Sequence, residues 1–123
     1  MINGIVKSRA AWVRLRVRGT SASEKQIEAI IDTGYNGWLT LPLELIEILK
    51  LPWKTVVTGT LADGSEAEFE VFKGQVIWDG IRRRIPVHEA NAKPVVGMSL
   101  LRGYEFNMQV RSRGKVIIKR LKS

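Results

Sequence analysis

The stretch Ile30-Ile31-Asp32-Thr33-Gly34 decides the fold of this chain. Its two β-branched residues favour a buried strand, and Thr33-Gly34 then turns the backbone sharply. Asp32 is therefore expected at the rim of a core, where an ionised carboxylate is costly unless it has a partner or a function. Asp-Thr-Gly alone is a weak signal, because it also makes an ordinary turn at the end of a strand. A second motif further along the chain strengthens it.

Length and composition are those of a folded globular protein. The 123 residues suffice for one hydrophobic core, so we expect a single domain over residues 1–123. The sequence has no cysteine and one histidine, His88, which excludes disulfides, thiolate sites and multi-histidine metal sites and leaves little scope for a serine–histidine triad. No metal and no cofactor are therefore expected. His88 follows a strand-like segment and is expected to be a surface or edge residue.

Targeting and membrane signals are weak throughout the sequence. No apolar stretch reaches the length of a membrane span. The segment Met1-Ile2-Asn3-Gly4 is not typical of a signal peptide. We therefore expect a cytoplasmic protein with no membrane association.

The formal net charge of +8 permits an acidic partner or a nucleic acid. In the basic N-terminal part, however, Arg14, Arg16 and Arg18 alternate with aliphatic residues, which is typical of the solvent face of a half-buried strand. Proteins that bind single strands usually add stacking aromatic residues to basic groups, and here only Trp12 lies close. A basic nucleic-acid-binding β-barrel therefore stays open as an alternative, with the charge as its only support.

Short apolar or alternating runs separated by turn signals predict a mainly all-β, mostly antiparallel fold. Strands are expected at 12–17, 27–31, 38–41, 55–61, 66–72, 74–78, 81–87, 94–97, 104–110 and 116–121. One short helix is expected over 42–50, because Pro42 is suited to a helix start and Leu51-Pro52 ends it. The turn Ala62-Asp63-Gly64-Ser65 predicts a hairpin that projects from the body.

Two motifs together resemble the retropepsin-like aspartic proteases, the single-domain relatives of retroviral proteases. The first is apolar-apolar-Asp-Thr-Gly over Ile30 to Gly34, and the second is Val95-Val96-Gly97-Met98-Ser99-Leu100-Leu101, with a glycine-bearing hairpin between them. The resemblance covers roughly residues 12–108, and a motif pair flanking a hairpin is much more specific than either motif alone. It implies a closed acid-protease β-barrel and an aspartic endopeptidase that acts on a peptide or protein substrate without a cofactor.

The resemblance also implies roles for individual residues. Asp32 would be the catalytic acid, Thr33 would hydrogen-bond across a dimer axis, and Gly34 would let the substrate backbone approach closely. Gly97 would pack behind this turn as structural support. Because the chain has one Asp-Thr-Gly, the paired acids would come from a twofold homodimer. Substrate would be bound by the hairpin tip, acting as a flap, and by the cleft: Ala62, Asp63, Gly64, Tyr35 and Asn36.

The sequence departs from the retroviral pattern at several positions. Tyr35 replaces a small residue and would narrow the cleft or form its wall. Retroviral enzymes commonly place an acid and an arginine where this chain has Asn36 and Met98, so that ion pair is lost from both sides together. Retroviral dimers often interleave their terminal strands, whereas basic ends would repel each other. A catalytically silent peptide- or protein-binding module of the same fold therefore stays open as a second alternative.

Overall fold

The computed structural model describes residues 1–19 and 23–122. In this part of the chain, strands predominate and two short helices interrupt them. The elements in chain order are β1 (Ile2–Lys7), β2 (Ala10–Arg18), β3 (Glu24–Ile31), β4 (Leu39–Leu41), α1 (Leu43–Leu49), β5 (Trp53–Thr60), β6 (Glu66–Trp78), β7 (Ile81–Glu89), β8 (Val95–Val96), α2 (Met98–Leu101), β9 (Tyr104–Met108) and β10 (Lys115–Arg120).

Six of the strands close into a barrel. Their order is β6-β7-β4-β8-β3-β2, and β6 also pairs with β2, which completes the ring. Most neighbours are antiparallel, but β3 pairs with β8 and β4 pairs with β7 in parallel. Outside the ring, β5 extends the sheet beyond β6, and β1, β10 and β9 extend it beyond β2. The predicted all-β barrel with a short helix is confirmed.

The barrel core follows directly from alternating hydrophobic residues. On β2, Val13, Leu15 and Val17 are buried, while Arg14 and Arg16 on the opposite face are exposed. A fully buried aliphatic side chain of this kind stabilises the fold by about 1.5–3 kcal/mol. The inward-facing side chains of the strands and of α1 form one continuous cluster.

Helix α1 lies where the sequence predicts it. Pro42 is its N-cap in an extended conformation, and Lys50 ends it with a φ of 53° in the left-handed region. Ile46 and Leu49 are buried against the barrel, whereas Ile48 remains exposed. The helix therefore closes one side of the barrel with only part of its apolar surface.

The observed elements differ from the sequence-based expectation in three ways: two predicted strands are one, and one strand and one helix were not predicted. The strands predicted at 66–72 and 74–78 are one 13-residue strand, β6, which serves two successive hairpins. Gly74 does not interrupt it, because its backbone stays in register with Ile85 and its missing side chain leaves room for Val87. The sequence analysis also missed β1 and the short helix α2.

The terminal strands pair with each other within one chain. Ile2 lies opposite Ile118 in the antiparallel β1–β10 pair, and β9 forms the adjacent sheet edge. The N-terminal amine and Arg120 both form ion pairs with Asp79, which offsets part of the basic charge at the ends. No helix in the described part of the chain is long and apolar enough to cross a membrane.

Candidate active site

Asp32 is the first residue after β3, on a turn held by hydrogen bonds. Its backbone N–H donates to the carbonyl oxygen of Val96 at 3.0 Å, which continues the parallel pairing of Ile31 with Val96. The N–H of Gly34 donates to Oδ1 of Asp32 at 2.8 Å. Within the described residues, Oδ2 has no hydrogen-bond partner, and the side chain is exposed. Asp32 follows the buried Ile31 at the edge of the core, and in the single chain its carboxylate is exposed to solvent.

The segment that follows the turn is fastened to the second motif. Four hydrogen bonds join residues 35–38 to residues 97–99. They are Gly97 N–H to the Trp38 oxygen at 3.1 Å, Met98 N–H to the Tyr35 oxygen at 2.8 Å, Ser99 N–H to the Gly37 oxygen at 3.1 Å, and Ser99 Oγ–H to the Asn36 oxygen at 2.6 Å. We call these four hydrogen bonds the brace. They lie beside Asn36 and Met98, the positions at which this chain lacks the ion pair of the retroviral pattern.

Gly97 lies directly behind the turn, with no room for a side chain. A Cβ added to it would lie 2.3 Å from the carbonyl oxygen of Gly37 and 2.5 Å from Cδ2 of Tyr35. Real Cβ atoms do not approach backbone oxygens this closely, so a larger residue would displace the brace. The second motif can therefore contact the segment that follows the Asp32 turn only because residue 97 has no side chain.

Tyr35 extends from the turn towards β7. Its hydroxyl lies 2.8 Å from Nδ1 of His88 on β7, and the two rings meet edge to face with centroids 6.0 Å apart. The His88 ring also stacks on the ring of Phe69 of β6, and the two ring centroids are 6.1 Å apart. Burial raises the pKa of Tyr35 to about 12 and lowers the pKa of His88 below its usual 6.5, so both groups are held neutral near pH 7.

The predicted flap tip is the turn between β5 and β6. Ala62, Asp63 and Gly64 are all exposed there. Oδ1 of Asp63 accepts hydrogen bonds from the N–H and the hydroxyl of Ser65, at 2.9 and 2.5 Å, and these bonds lower the pKa of Asp63. Gly64 has a φ of +87°, which favours glycine. These hydrogen bonds stay within the tip, so the structure does not join the tip to the Asp32 turn.

An open cavity of about 520 Å³ adjoins the turn on the side of Thr33. It is lined by Thr33 and Asn36 and by residues between Met98 and Phe106, in α2, in β9 and in the turn between them. Thr33 is exposed, and 44% of Met98 is exposed. The surface beside Asp32 is therefore concave and partly apolar.

Sequence reasoning missed the partners that position the turn. Val96, Ser99 and His88 were not assigned to the site, and His88 was expected at the surface or edge, whereas it is half-buried. The sequence signal for this role was a single histidine shortly before the second motif. That signal could not identify the partners of His88, because its pairing with Thr40 and its contact with Tyr35 depend on the tertiary fold. Among the described residues, no three His, Asp or Glu side chains are grouped so that they could hold a metal ion.

The fold defined by this barrel and turn is that of the retropepsin-like aspartic proteases, as the two motifs predict. The chain is similar to the EIAV protease complexed with the inhibitor HBY-793, at 14% identity and a TM-score of 0.56, over 76% of this chain and 86% of that one. It is also similar to a retropepsin-like aspartic protease from Rickettsia conorii, at 15% identity and a TM-score of 0.56, over 99% of this chain and 91% of that one. No protein-family model and no curated protein sequence matches this chain.

Proposed function

We propose that this protein is an aspartic endopeptidase whose active site forms between two copies of the chain. The observation that carries the proposal is the Asp32 turn, with an exposed carboxylate fixed by Val96 and Gly34 within a retropepsin fold. One carboxylate per chain is half of the acid pair with which aspartic proteases hydrolyse peptides. A twofold dimer supplies the second copy of Asp32.

The proposed reaction uses the two Asp32 side chains as one unit that shares a proton. The ionised carboxylate takes a proton from water as the water oxygen attacks the peptide carbonyl carbon, and the protonated carboxyl donates its proton to the carbonyl oxygen. Collapse of the gem-diol intermediate breaks the C–N bond: the carboxyl that took the water proton gives it to the leaving nitrogen, and one gem-diol hydroxyl returns its proton to the other carboxylate. The products are a carboxylic acid and an amine, and the pair again shares one proton. Because the pair needs one proton, activity is expected to fall as the pH rises.

The surface around Thr33 supports the dimer. An exposed threonine next to the carboxylate and a partly apolar cavity lined by Met98 and Phe106 suit a second copy of the chain. The terminal strands of one chain are already paired with each other, through Ile2 and Ile118. The proposed dimer therefore relies on the turn, α2 and β9 rather than on interleaved ends.

The β5–β6 hairpin is proposed to close over an extended peptide. The tip at Asp63 and Gly64 is exposed and ordered by its own hydrogen bonds, which suits a rigid tip on a movable arm. A bound peptide in extended form would offer backbone groups to this arm and side chains to the cleft. The alternative of a silent peptide-binding module uses the same surfaces and differs only in the chemistry.

The deciding experiment is cleavage of a peptide library by the wild type and by Asp32→Asn, with pepstatin as inhibitor. The substitution keeps the shape of the side chain and removes its titrating carboxylate, so hydrolysis should disappear while folding and dimerisation persist. Glu28→Gln, which changes an exposed carboxylate on β3, the strand that leads into the Asp32 turn, is the matched control and should retain activity. Turnover by Asp32→Asn at the wild-type rate would refute the proposal, and peptide binding without cleavage by the wild type would favour the silent module.

A further inference from the structure

A second cavity, of about 440 Å³, opens on the outer face of the sheet. Residues of β2, β5, β6 and β7 line it, and four of them are cationic. We call it the basic pocket and define it by the residues that matter here: Arg18, Lys54, Lys73, Gln75, Arg84 and Pro86. Nothing in the proposed peptidase chemistry uses these side chains.

The strand register brings the cations together. Gln75 of β6 pairs with Arg18 of β2 on one side and with Arg84 of β7 on the other, so these three residues form a row on one face. Strands lie about 4.8 Å apart, so the two arginine backbones are about 10 Å apart across Gln75. Lys73 lies two residues before Gln75 on the same face, and Lys54 lies at the irregularity between Trp53 and Thr55.

These four positive charges have no counterion in the described part of the chain. None of them takes part in an ion pair there, and no aspartate or glutamate lines the pocket. The acid opposite Arg18 in the ladder is Glu24, and it lies 4.0 Å from the guanidinium of Arg16 instead. Like charges gathered around one concavity raise the local positive potential and favour an anionic ligand.

The Arg18 side of the basic pocket is remote from Asp32. Arg18 lies opposite Glu24 at the start of β3, whereas Asp32 follows the end of that strand. The eight residues from Glu24 to Asp32 span about 26 Å of extended chain. The Arg18 side of the pocket is therefore far from the Asp32 carboxylate, while Pro86 on another side lies two residues before His88 on β7.

We propose that the basic pocket binds a small molecule that carries a chain of two or more phosphoryl groups. One phosphate monoester carries about −1.5 to −2 charges, so at least two phosphoryl groups are needed to match four cations. Guanidinium groups such as Arg18 and Arg84 bind phosphate oxygens in pairs. The volume lies within the range of small-molecule sites, and Pro86 adds an apolar wall. Among the described residues that line the pocket there is no aromatic side chain for stacking, which disfavours a single-stranded nucleic acid.

The test is calorimetric titration of the full chain with inorganic tripolyphosphate, ATP and sulfate at one salt concentration. Tripolyphosphate and ATP should bind, and sulfate should bind at least tenfold more weakly. Equal affinity for tripolyphosphate and ATP identifies the phosphoryl chain as the whole ligand, and tighter binding of ATP identifies a nucleotide.

Arg84→Gln should weaken the binding of tripolyphosphate and ATP at least tenfold. The matched control is Arg82→Gln, an exposed arginine two residues earlier on the same face of β7 but outside the pocket, which should change affinity less than twofold.

Three outcomes would overturn the proposal. They are no binding of either phosphate compound, equal losses from Arg82→Gln and Arg84→Gln, or tighter binding of a single-stranded oligonucleotide than of ATP. The second outcome would mean diffuse attraction to a basic surface rather than a site. The titration measures phosphate binding and needs no peptide cleavage, and Asp32→Asn should bind tripolyphosphate like the wild type. A negative result in this titration therefore leaves the peptidase proposal untouched.

Discussion

The hydroxyl of Tyr35 lies 2.8 Å from Nδ1 of His88, and this contact joins the Asp32 turn to β7. Phe69, which stacks on His88, extends the contact to β6, one strand of the proposed flap hairpin. A neutral tyrosine can donate to the lone pair of a neutral imidazole, and burial keeps both groups neutral near pH 7. The turn that carries the carboxylate is therefore in contact with the β5–β6 hairpin through Tyr35, His88 and Phe69.

The Tyr35–His88 hydrogen bond should contribute measurably to stability. We expect Tyr35→Phe to lower the free energy of unfolding by about 0.5–1.5 kcal/mol, because it removes the hydroxyl and leaves Nδ1 of His88 without its partner. Urea denaturation measures this change. Tyr104→Phe is the control, because the Tyr104 hydroxyl makes no hydrogen bond within the described residues, and it should change stability less. Equal losses in the two variants would contradict this interpretation.

His88 should make the stability of the protein depend on pH below neutrality. Its pKa in the folded state lies below 6.5 because burial disfavours the charged imidazole. The unfolded chain therefore binds more protons as the pH falls through 6.5 towards the folded-state pKa, and the free energy of unfolding decreases over this window. Since His88 is the only histidine, His88→Gln should flatten the profile as the pH falls from neutrality through 6.5. An unchanged slope in this variant would assign the effect to other groups.

Much of this site could be predicted from the sequence, because each motif is a short run of neighbouring residues. Ile30-Ile31 and Val95-Val96 mark two buried strands by composition, and Gly34 and Gly97 mark the turns that follow. The exposure of Asp32 could not be predicted, since it depends on what covers the turn. The partnership of Tyr35 with His88, and the row formed by Arg18 and Arg84, depend on which strands become neighbours when the barrel closes.

Flap function can be separated from backbone strain by comparing two glycines. Gly64 at the tip has a φ of +87°, and Gly80 in the β6–β7 turn has a φ of +74°, with open space around both. Alanine at either position costs about 1–2 kcal/mol of strain, so both variants should lose similar stability. We expect only Gly64→Ala to lower kcat/KM for peptide cleavage, by about tenfold, which corresponds to about 1.4 kcal/mol at the transition state. Equal activity losses would show that the tip has no special role.

Assembly of the proposed active site should depend on the surface beside Thr33. Met98 lies in the cavity next to Thr33 and is 44% exposed, so Met98→Glu would place one carboxylate from each chain near the twofold axis. Their repulsion should weaken dimerisation at least tenfold, or by about 1.4 kcal/mol, and activity per chain should then rise more steeply with protein concentration.

Sedimentation equilibrium and a concentration series of peptide cleavage measure these effects of Met98→Glu. Val110→Glu adds the same charge at a position that is 71% exposed and lies outside this cavity, so it should dimerise and cleave like the wild type. Thermal unfolding of both variants excludes a folding defect as the cause, because both side chains are substantially exposed in one chain. A Met98→Glu protein that sediments like the wild type, or a wild type that is active as a monomer, would refute the proposed arrangement, because one chain holds only one Asp-Thr-Gly.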